Sequence, residues 1–360
     1  MLLRLIIRLT PLHQARTDAE REAIFRFRYS IYGKELRRDY PGMDHEQGML
    51  QEPADALSDA RLYYTGTPAD ITGTLRARVW DTPPKPIVEA LSLQHVPGGL
   101  RIAFLERLMV RDTLRGRALT AAIIWHCYEM LMREGVDLCV LTCVPGLARA
   151  YLNFGARPYG AKLVEGASSA EVPLMIVMND PAHLRETGSF MYPQMKRLAR
   201  PFDMAPLKPL FDPRQQSVVF EPQQVAEELA RVKPKLFGGV GPRALRAIAE
   251  SSFVVQLSKG ELVVRRGTAD REMFLVLAGE LDVEGRVRIR EGETMGEMAF
   301  LGTPGFRTAT VHTTAPSRLL VLRRRFLDEL AEVDLSAAYN VARNLARVAA
   351  DRFTERISSK

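Results

Sequence analysis

The chain has 360 residues, of which 46% are hydrophobic and 26% charged, and a formal net charge of +7. At about 150 residues per domain the length predicts two domains, and the composition excludes a mainly disordered chain. No apolar run approaches the ~20 residues of a membrane span.

Arg4 and Arg8 interrupt the apolar start Met1–Leu9 and no small-residue cleavage site follows, so the stretch reads as a strand and not an export signal. Cys127, Cys139 and Cys143 form no C-x-x-C pair. Such a set argues against a disulfide framework and fits a reducing cytoplasm. The basic residues are spread out, which suits anionic cofactors or an acidic carrier protein as well as nucleic acid.

In chain order, Glu20–Tyr32 reads as a helix, with Ile24, Phe27 and Ile31 at helical spacing. Ile71–Trp80 and Ile102–Val110 read as strands, Leu119–Met132 as an amphipathic helix and Leu138–Cys143 as a buried strand. A helix around Leu147–Phe154 and a strand near Val172–Met178 follow. Prolines 201, 206, 209 and 213 come too often for a helix or a central strand.

The organisation predicted is therefore a mixed α and β region over 1–199, a proline-rich linker over 200–222 and a second region over 223–360. In the second region, strands near Glu261–Arg265 and Met273–Leu277 alternate with turns at Gly260, Gly267 and Gly279. Leu319–Leu322 closes the series, and Phe326–Ala331 and Leu335–Phe353 read as helices. Ala338, Val341, Leu345 and Val348 form an apolar stripe on the last helix.

The most informative stretch is Met295–Val311. Gly296 permits a tight turn, and Glu297–Leu301 can form one helical turn whose free N–H groups suit an anion. Arg307, ten residues beyond Glu297, can neutralise a phosphate, while a carboxylate accepts a ribose 2′-hydroxyl. Together these groups describe a pocket for a ribose cyclic phosphate. The alternative is a purely structural jelly roll in which the glutamate and arginine are accidental.

With Lys259–Gly267 and Met273–Glu280, this cassette resembles the cyclic nucleotide-binding domain family, from about Leu236 to the last helix. The resemblance implies a β jelly roll with flanking helices. It gives Glu297 the ribose 2′-hydroxyl and Arg307 the phosphate, with Gly296, Met298, Ala299, Thr308 and Ala309 completing the contact. The effector implied is cyclic AMP or cyclic GMP. The final helix resembles the family's lid, and its stripe offers a homodimer seam as a compatible second role. After it the chain reaches Lys360 with no room for a recognition helix, which argues against a transcription factor and a nucleic-acid partner.

In the first region, Val110–Leu119 lies between a strand and a helix. Gly116 lets the backbone approach a ligand. Arg115, Arg117 and the N–H groups at the helix start would hold a pyrophosphate or phosphopantetheine phosphate. Thr113–Ala118 resembles the cofactor loop of GNAT acyltransferases, although Thr113 departs from the usual first residue. Ala150–Ala156 resembles their Tyr-x-x-x-Gly-Phe segment. The resemblance implies a mixed sheet flanked by helices, so the chain as a whole is an α+β or α/β two-domain protein. It also implies an acyl-coenzyme A or acyl-carrier-protein donor held by Met109, Val110, Arg115, Gly116, Arg117 and Ala118, and thiolate protonation by Tyr151. That tyrosine reads equally as a core aromatic.

Closer still, Phe25–Tyr32, Asp55–Tyr64, Gly73–Arg76 and Glu106–Val110 resemble segments of acyl-homoserine-lactone synthases and N-acyl amino acid synthases. Arg107 stands at their shared arginine, and the resemblance implies that it belongs to the catalytic group with Glu106 and Tyr151. Glu106 replaces their usual serine, and Phe104 stands where they carry glutamate. The chemistry needs a carboxylate base, for which Glu106 is the candidate, and a backbone N–H for the developing oxyanion. Arg28, Asp55, Arg76 and Arg107 can form an ionic cluster shaping an acceptor pocket, or serve as structural ion pairs.

Cys139 and Cys143 share a strand face and read as packing residues, His126 reads as a helix-face residue, and the histidines show no metal spacing. The function expected is N-acyl transfer to a primary amine, an amino acid or related metabolite, tuned by a cyclic nucleotide. The alternatives are a protein lysine acetyltransferase under the same control and a non-catalytic nucleotide-responsive binding protein.

Overall fold

A computed structural model describes residues 2–36, 40–111, 118–160, 162–166, 170–212, 216–269, 272–301 and 306–358. The chain forms two compact units. One comprises Met1–Cys143, Arg149–Tyr159 and Pro173–Phe211, and the other Val144–Ala148, Gly160–Val172 and Asp212–Lys360.

The helices of the N-terminal half are α1 (Leu2–Leu9), α2 (Asp18–Tyr29), α3 (Lys85–Ala90), α4 (Ala118–Arg133), α5 (Ala148–Asn153), α6 (Pro181–Glu186) and α7 (Tyr192–Leu198). Its strands are β1 (His13–Gln14), β2 (Met43–Asp44), β3 (Met49–Leu50), β4 (Ala60–Thr67), β5 (Asp70–Trp80), β6 (Ile102–Val110), β7 (Leu138–Cys143), β8 (Arg157–Pro158), β9 (Val164–Glu165) and β10 (Ala170–Val177). The main sheet runs β1-β4-β5-β6-β7-β10-β8, with β9 paired to β10 off that path. β6 and β7 pair in parallel, while the β1–β4, β4–β5, β5–β6, β8–β10 and β9–β10 pairs are antiparallel, which makes the sheet mixed.

The start of the chain corrects the sequence reading, because Leu2–Leu9 is a helix and not a strand. Arg4 and Arg8 are four residues apart and so share one helical face, and Ile7 is buried. So short an apolar run does not separate the two periods. The Ile7 carbonyl accepts from His126 Nε2 on α4 at 2.9 Å.

α2 begins with a capping box: Thr17 Oγ1 accepts from the Glu20 N–H at 3.3 Å, and Glu20 Oε2 accepts from the Thr17 N–H at 2.9 Å. α4 buries Leu119, Ile123, Cys127 and Leu131, one every four residues, along a single face. The proline-rich stretch is itself structured. Ala205–Phe211 is a 3-10 helix, and Leu207 is buried with Trp80, Phe104 and Tyr159 in the core of the first unit.

The second unit continues with β11 (Val218–Val219), α8 (Pro222–Val232), α9 (Pro242–Ser251), β12 (Phe253–Leu257), β13 (Leu262–Val264), β14 (Met273–Ala278), β15 (Glu280–Val283) and β16 (Val287–Arg290). Then come β17 (Thr294–Met295), α10 (Glu297–Leu301), β18 (Val311–Thr313), β19 (Ser317–Leu322), α11 (Phe326–Val333) and α12 (Leu335–Ser358). Two antiparallel sheets form, β11-β12-β19-β14-β17 and β13-β18-β15-β16. This is the jelly-roll-like β domain with flanking helices expected from the sequence.

On the larger sheet Val254, Leu275, Leu277, Leu320 and Leu322 pack with residues of α8, α9, α11 and α12. Strand side chains alternate in direction, and the intervening Phe253, Val255, Phe274, Val276, Leu319 and Val321 are buried as well. Both faces of this sheet are therefore covered. Ala338, Val341 and Leu345, three of the four stripe residues on α12, are spent in that core.

Candidate functional site

In the first unit, side chains from four segments meet in one ionic network. Arg28 lies in the last turn of α2 and is fully buried. Its Nη1 donates to both Asp55 oxygens at 2.8 Å. Asp55 sits in the 3-10 turn Pro53–Ala56 and accepts the Glu52 N–H at 2.8 Å.

Arg76, on β5, bridges the group. Its Nη1 reaches Asp55 Oδ1 at 2.9 Å and Glu52 Oε2 at 3.0 Å. Its Nε and Nη2 grip the two oxygens of Glu106 at 3.1 and 2.8 Å. Arg107 pairs with Glu52 through Nε at 2.6 Å and also through Nη2. Its guanidinium lies 5.0 Å from the Tyr40 ring centre and 5.7 Å from that of Tyr32.

Three guanidinium groups thus face three carboxylates. Burial alone would raise the carboxyls of Glu52 and Asp55. The arginines beside them outweigh it and hold both below the usual carboxylate range. Desolvation lowers Arg28. Arg76 and Arg107 are raised, because their carboxylates outweigh the burial that opposes them. Exposure rises toward one side of the network: Arg28 and Asp55 are at 0%, Glu106 at 15% and Arg107 at 21%. Glu106 and Arg107 are therefore its accessible members.

Two backbone features shape this site. β5 and β6 pair Arg76 with Glu106 and Thr74 with Met109, so β6 carries one extra residue between those pairs. Arg107 sits in that bulge at φ +55°, a conformation costly for a residue with a Cβ. In addition, β6 pairs with β7 only over Ile102–Leu105 against Leu138–Leu141. Past Leu105 the two strands part, and this leaves the C-terminal half of β6 bonded on its β5 side. Gly73 is required here, because a Cβ would meet Ile123 Cδ1 of α4 at 2.6 Å and the Met109 carbonyl at 3.0 Å.

Arg28, Asp55, Arg76, Glu106 and Arg107 are thus brought together as a group. Sequence reasoning missed Glu52, Tyr32 and Tyr40. Glu52 precedes a proline turn outside any periodic pattern, so only its neighbour Asp55 signalled it. Met109 and Val110 are buried at the end of β6, and Ala118 opens α4. Arg115, Gly116 and Arg117 lie outside the described residues.

Tyr151 is half-buried on α5 and meets Phe154 edge-on at 6.1 Å. Phe154 in turn meets Phe190, which stacks on Trp125. Cys127, Cys139 and Cys143 are buried and form no disulfide, and burial pushes the Cys139 thiol well up, which suits packing and not a thiolate nucleophile. Among the described residues no group of three or more His, Cys, Asp or Glu is placed to hold a metal ion, and no described helix is long and apolar enough to cross a membrane.

The second unit holds the other candidate. Gly296, at φ +88°, turns the chain from β17 into α10, and a Cβ there would collide with Arg307. Glu297 is buried at the start of α10, and its Oε2 accepts from Arg352 Nη1 of α12 at 2.5 Å. Arg307 is 3% exposed. Its backbone is fixed on both sides: its N–H donates to the Thr268 carbonyl at 2.8 Å, and its carbonyl accepts from the Gly267 N–H at 2.8 Å. Its guanidinium lies 5.6 Å from the Phe274 ring centre and 3.8 Å from Glu272.

Among the described residues no acceptor bonds Nε, Nη1 or Nη2 of Arg307. A buried cation with unused donors is costly, and an anionic oxygen group supplied by a ligand would satisfy it. Ala299 is buried, while Met298 and Thr308 are exposed and Ala309 is half-buried. Arg352 was not foreseen from the sequence, because nothing local links it to a residue 55 positions earlier.

Residues 254–334 match the family model of the cyclic nucleotide-binding domain, and the match takes in both Glu297 and Arg307. That domain is therefore carried in the C-terminal part of the chain. Among solved structures, one that is similar is a cyclic nucleotide-binding domain from Methylobacillus flagellatus, at 22% identity and TM-score 0.34, covering 39% of this chain and 85% of that one. The Thermus thermophilus catabolite activator protein is similar at 24% identity and TM-score 0.31, over 35% of this chain and 61% of that one. The CoA-dependent acyl-homoserine lactone synthase BjaI is similar at 14% identity and TM-score 0.41, over 55% of this chain and 98% of that one. No curated protein matches the sequence.

Proposed function

We propose that the protein is an N-acyltransferase that moves an acyl group from acyl-coenzyme A or acyl-carrier protein to a primary amine, a free amino acid or related metabolite, under the control of cyclic AMP or cyclic GMP. On this reading residues 1–199 carry the transferase and 223–360 the nucleotide sensor, joined through 200–222. The observation that carries the transferase reading is the parting of β6 from β7 beside the bulge at Arg107. It takes Glu106–Met109 of β6 out of the β7 pairing, and a backbone N–H of that stretch would serve a thioester carbonyl as donor for its developing charge. The sensor reading rests on the family match and on the buried guanidinium of Arg307, which no acceptor bonds among the described residues.

The acceptor amine loses a proton through water to Glu106, whose oxygens each keep a lone pair beyond those held by Arg76. Its nitrogen then attacks the thioester carbonyl, the carbon–sulfur bond breaks, and Tyr151 gives a proton to the leaving thiolate. Arg28, Asp55, Arg76 and Arg107 fix the acceptor pocket. Met109, Val110, Arg115, Gly116, Arg117 and Ala118 hold the donor. A basic rim suits an acidic carrier protein. A homodimer through α12 would use residues other than the stripe already buried in the core.

The test is mass spectrometry after incubation with acyl-coenzyme A or acyl-carrier protein, mixed amino acids and a lysine-bearing protein. An acylated amino acid supports the reading. Acylated protein lysine moves it to a lysine acetyltransferase. No acyl product, with nucleotide binding intact, makes the chain a nucleotide-responsive binding protein.

A further inference from the structure

A buried carboxylate such as Glu297 needs a partner for its charge. Arg352 supplies it with one prong: Nη1 donates to Oε2 at 2.5 Å, while Nη2 donates to the backbone carbonyl of Thr294. The planar guanidinium fork therefore has one end on the backbone of β17 and the other on the carboxylate. The carbonyl cannot rotate away, so the fork fixes the orientation of the Glu297 side chain. Only one carboxylate oxygen is used, and among the described residues no donor reaches Oε1.

We propose that Arg352 is a positioning residue for ribose recognition. It holds Glu297 by Oε2 and leaves Oε1 turned to accept the 2′-hydroxyl of a cyclic nucleotide. This inference rests on the nucleotide reading of the site. Because arginine and ribose take different oxygens, they bind together and do not compete. The C-terminal end of α12 and the ligand therefore support each other through one carboxylate.

Calorimetry on the full chain tests this with cyclic AMP, cyclic GMP and the 2′-deoxy form of each. The wild-type chain should prefer the ribose form of its better ligand by about tenfold or more. Arg352→Gln should weaken the ribose form about five- to twentyfold and the deoxy form hardly at all, so the preference collapses. Arg352→Lys keeps the charge without the fork and should retain an intermediate preference. It also serves if the glutamine variant fails to fold.

An unchanged ribose-to-deoxy ratio in these variants overturns the proposal, even if both forms bind more weakly, because that is the mark of a merely structural contact. Tighter ribose binding by Arg352→Gln also overturns it, by making Arg352 a competitor. Absence of any cyclic nucleotide binding by the wild-type chain overturns the nucleotide reading itself, and this proposal with it.

Discussion

Arg76 meets Glu106 directly across the β5–β6 pair in a two-pronged ion pair, one register position before β6 bulges at Arg107. The same guanidinium also binds Glu52 and Asp55, so a single side chain neutralises three carboxylates from two segments.

Arg76→Met should destabilise the first unit by about 3–5 kcal/mol, because it leaves buried carboxylates without their shared partner. Urea unfolding followed by circular dichroism reads the loss. A midpoint equal to that of the wild type would show that the network is not structural.

Acid should weaken the same unit. Glu52 and Asp55 are held below the ordinary carboxylate range when folded. Their contribution is therefore present above about pH 4, the unfolded range, and is lost as pH falls through the folded values. Urea midpoints at pH 7, 5 and 3 should drop only in the last interval. Glu52→Gln should flatten that dependence.

Gly73→Ala tests the close approach of β5 to α4. The added methyl meets the flexible end of Ile123 and the rigid Met109 carbonyl, for a cost of about 1–3 kcal/mol. Ile123→Val, which removes that terminal methyl, should recover part of the loss in the double variant. Strict additivity of the two changes would contradict the contact.

Arg307→Ala should cost about 1.5–3 kcal/mol of nucleotide affinity, roughly ten- to a hundredfold, through loss of a charge-assisted contact. Titration calorimetry reads it directly. Unchanged affinity would place the phosphate elsewhere.

Glu106→Gln should lower turnover while leaving donor binding nearly intact, since it removes the base and not the cofactor site. Normal turnover would take the base role from Glu106.

The sequence reading succeeded where one local pattern decided the outcome. Ile102–Val110, apolar but for Glu106 and Arg107, and Leu138–Cys143, apolar but for Thr142, are runs of strand length, and both form strands with those limits. Glu297 and Arg307 sit in one short cassette around a glycine that only a tight turn explains. It faltered where distance in the chain mattered. Leu2–Leu9 is helical because it has α4 to pack against, which its own residues do not reveal. Glu52 and Arg352 draw their roles from partners 55 residues away. The bulge at Arg107 is legible only once β5 and β6 are in register.

The most direct measurement is steady-state acyl transfer to a free amino acid, with and without saturating cyclic AMP or cyclic GMP. The account predicts an acylated amino acid whose rate of formation changes when one of the two nucleotides is added and no longer responds in Arg307→Ala. Equal rates with and without both nucleotides would contradict the coupling of the two sites.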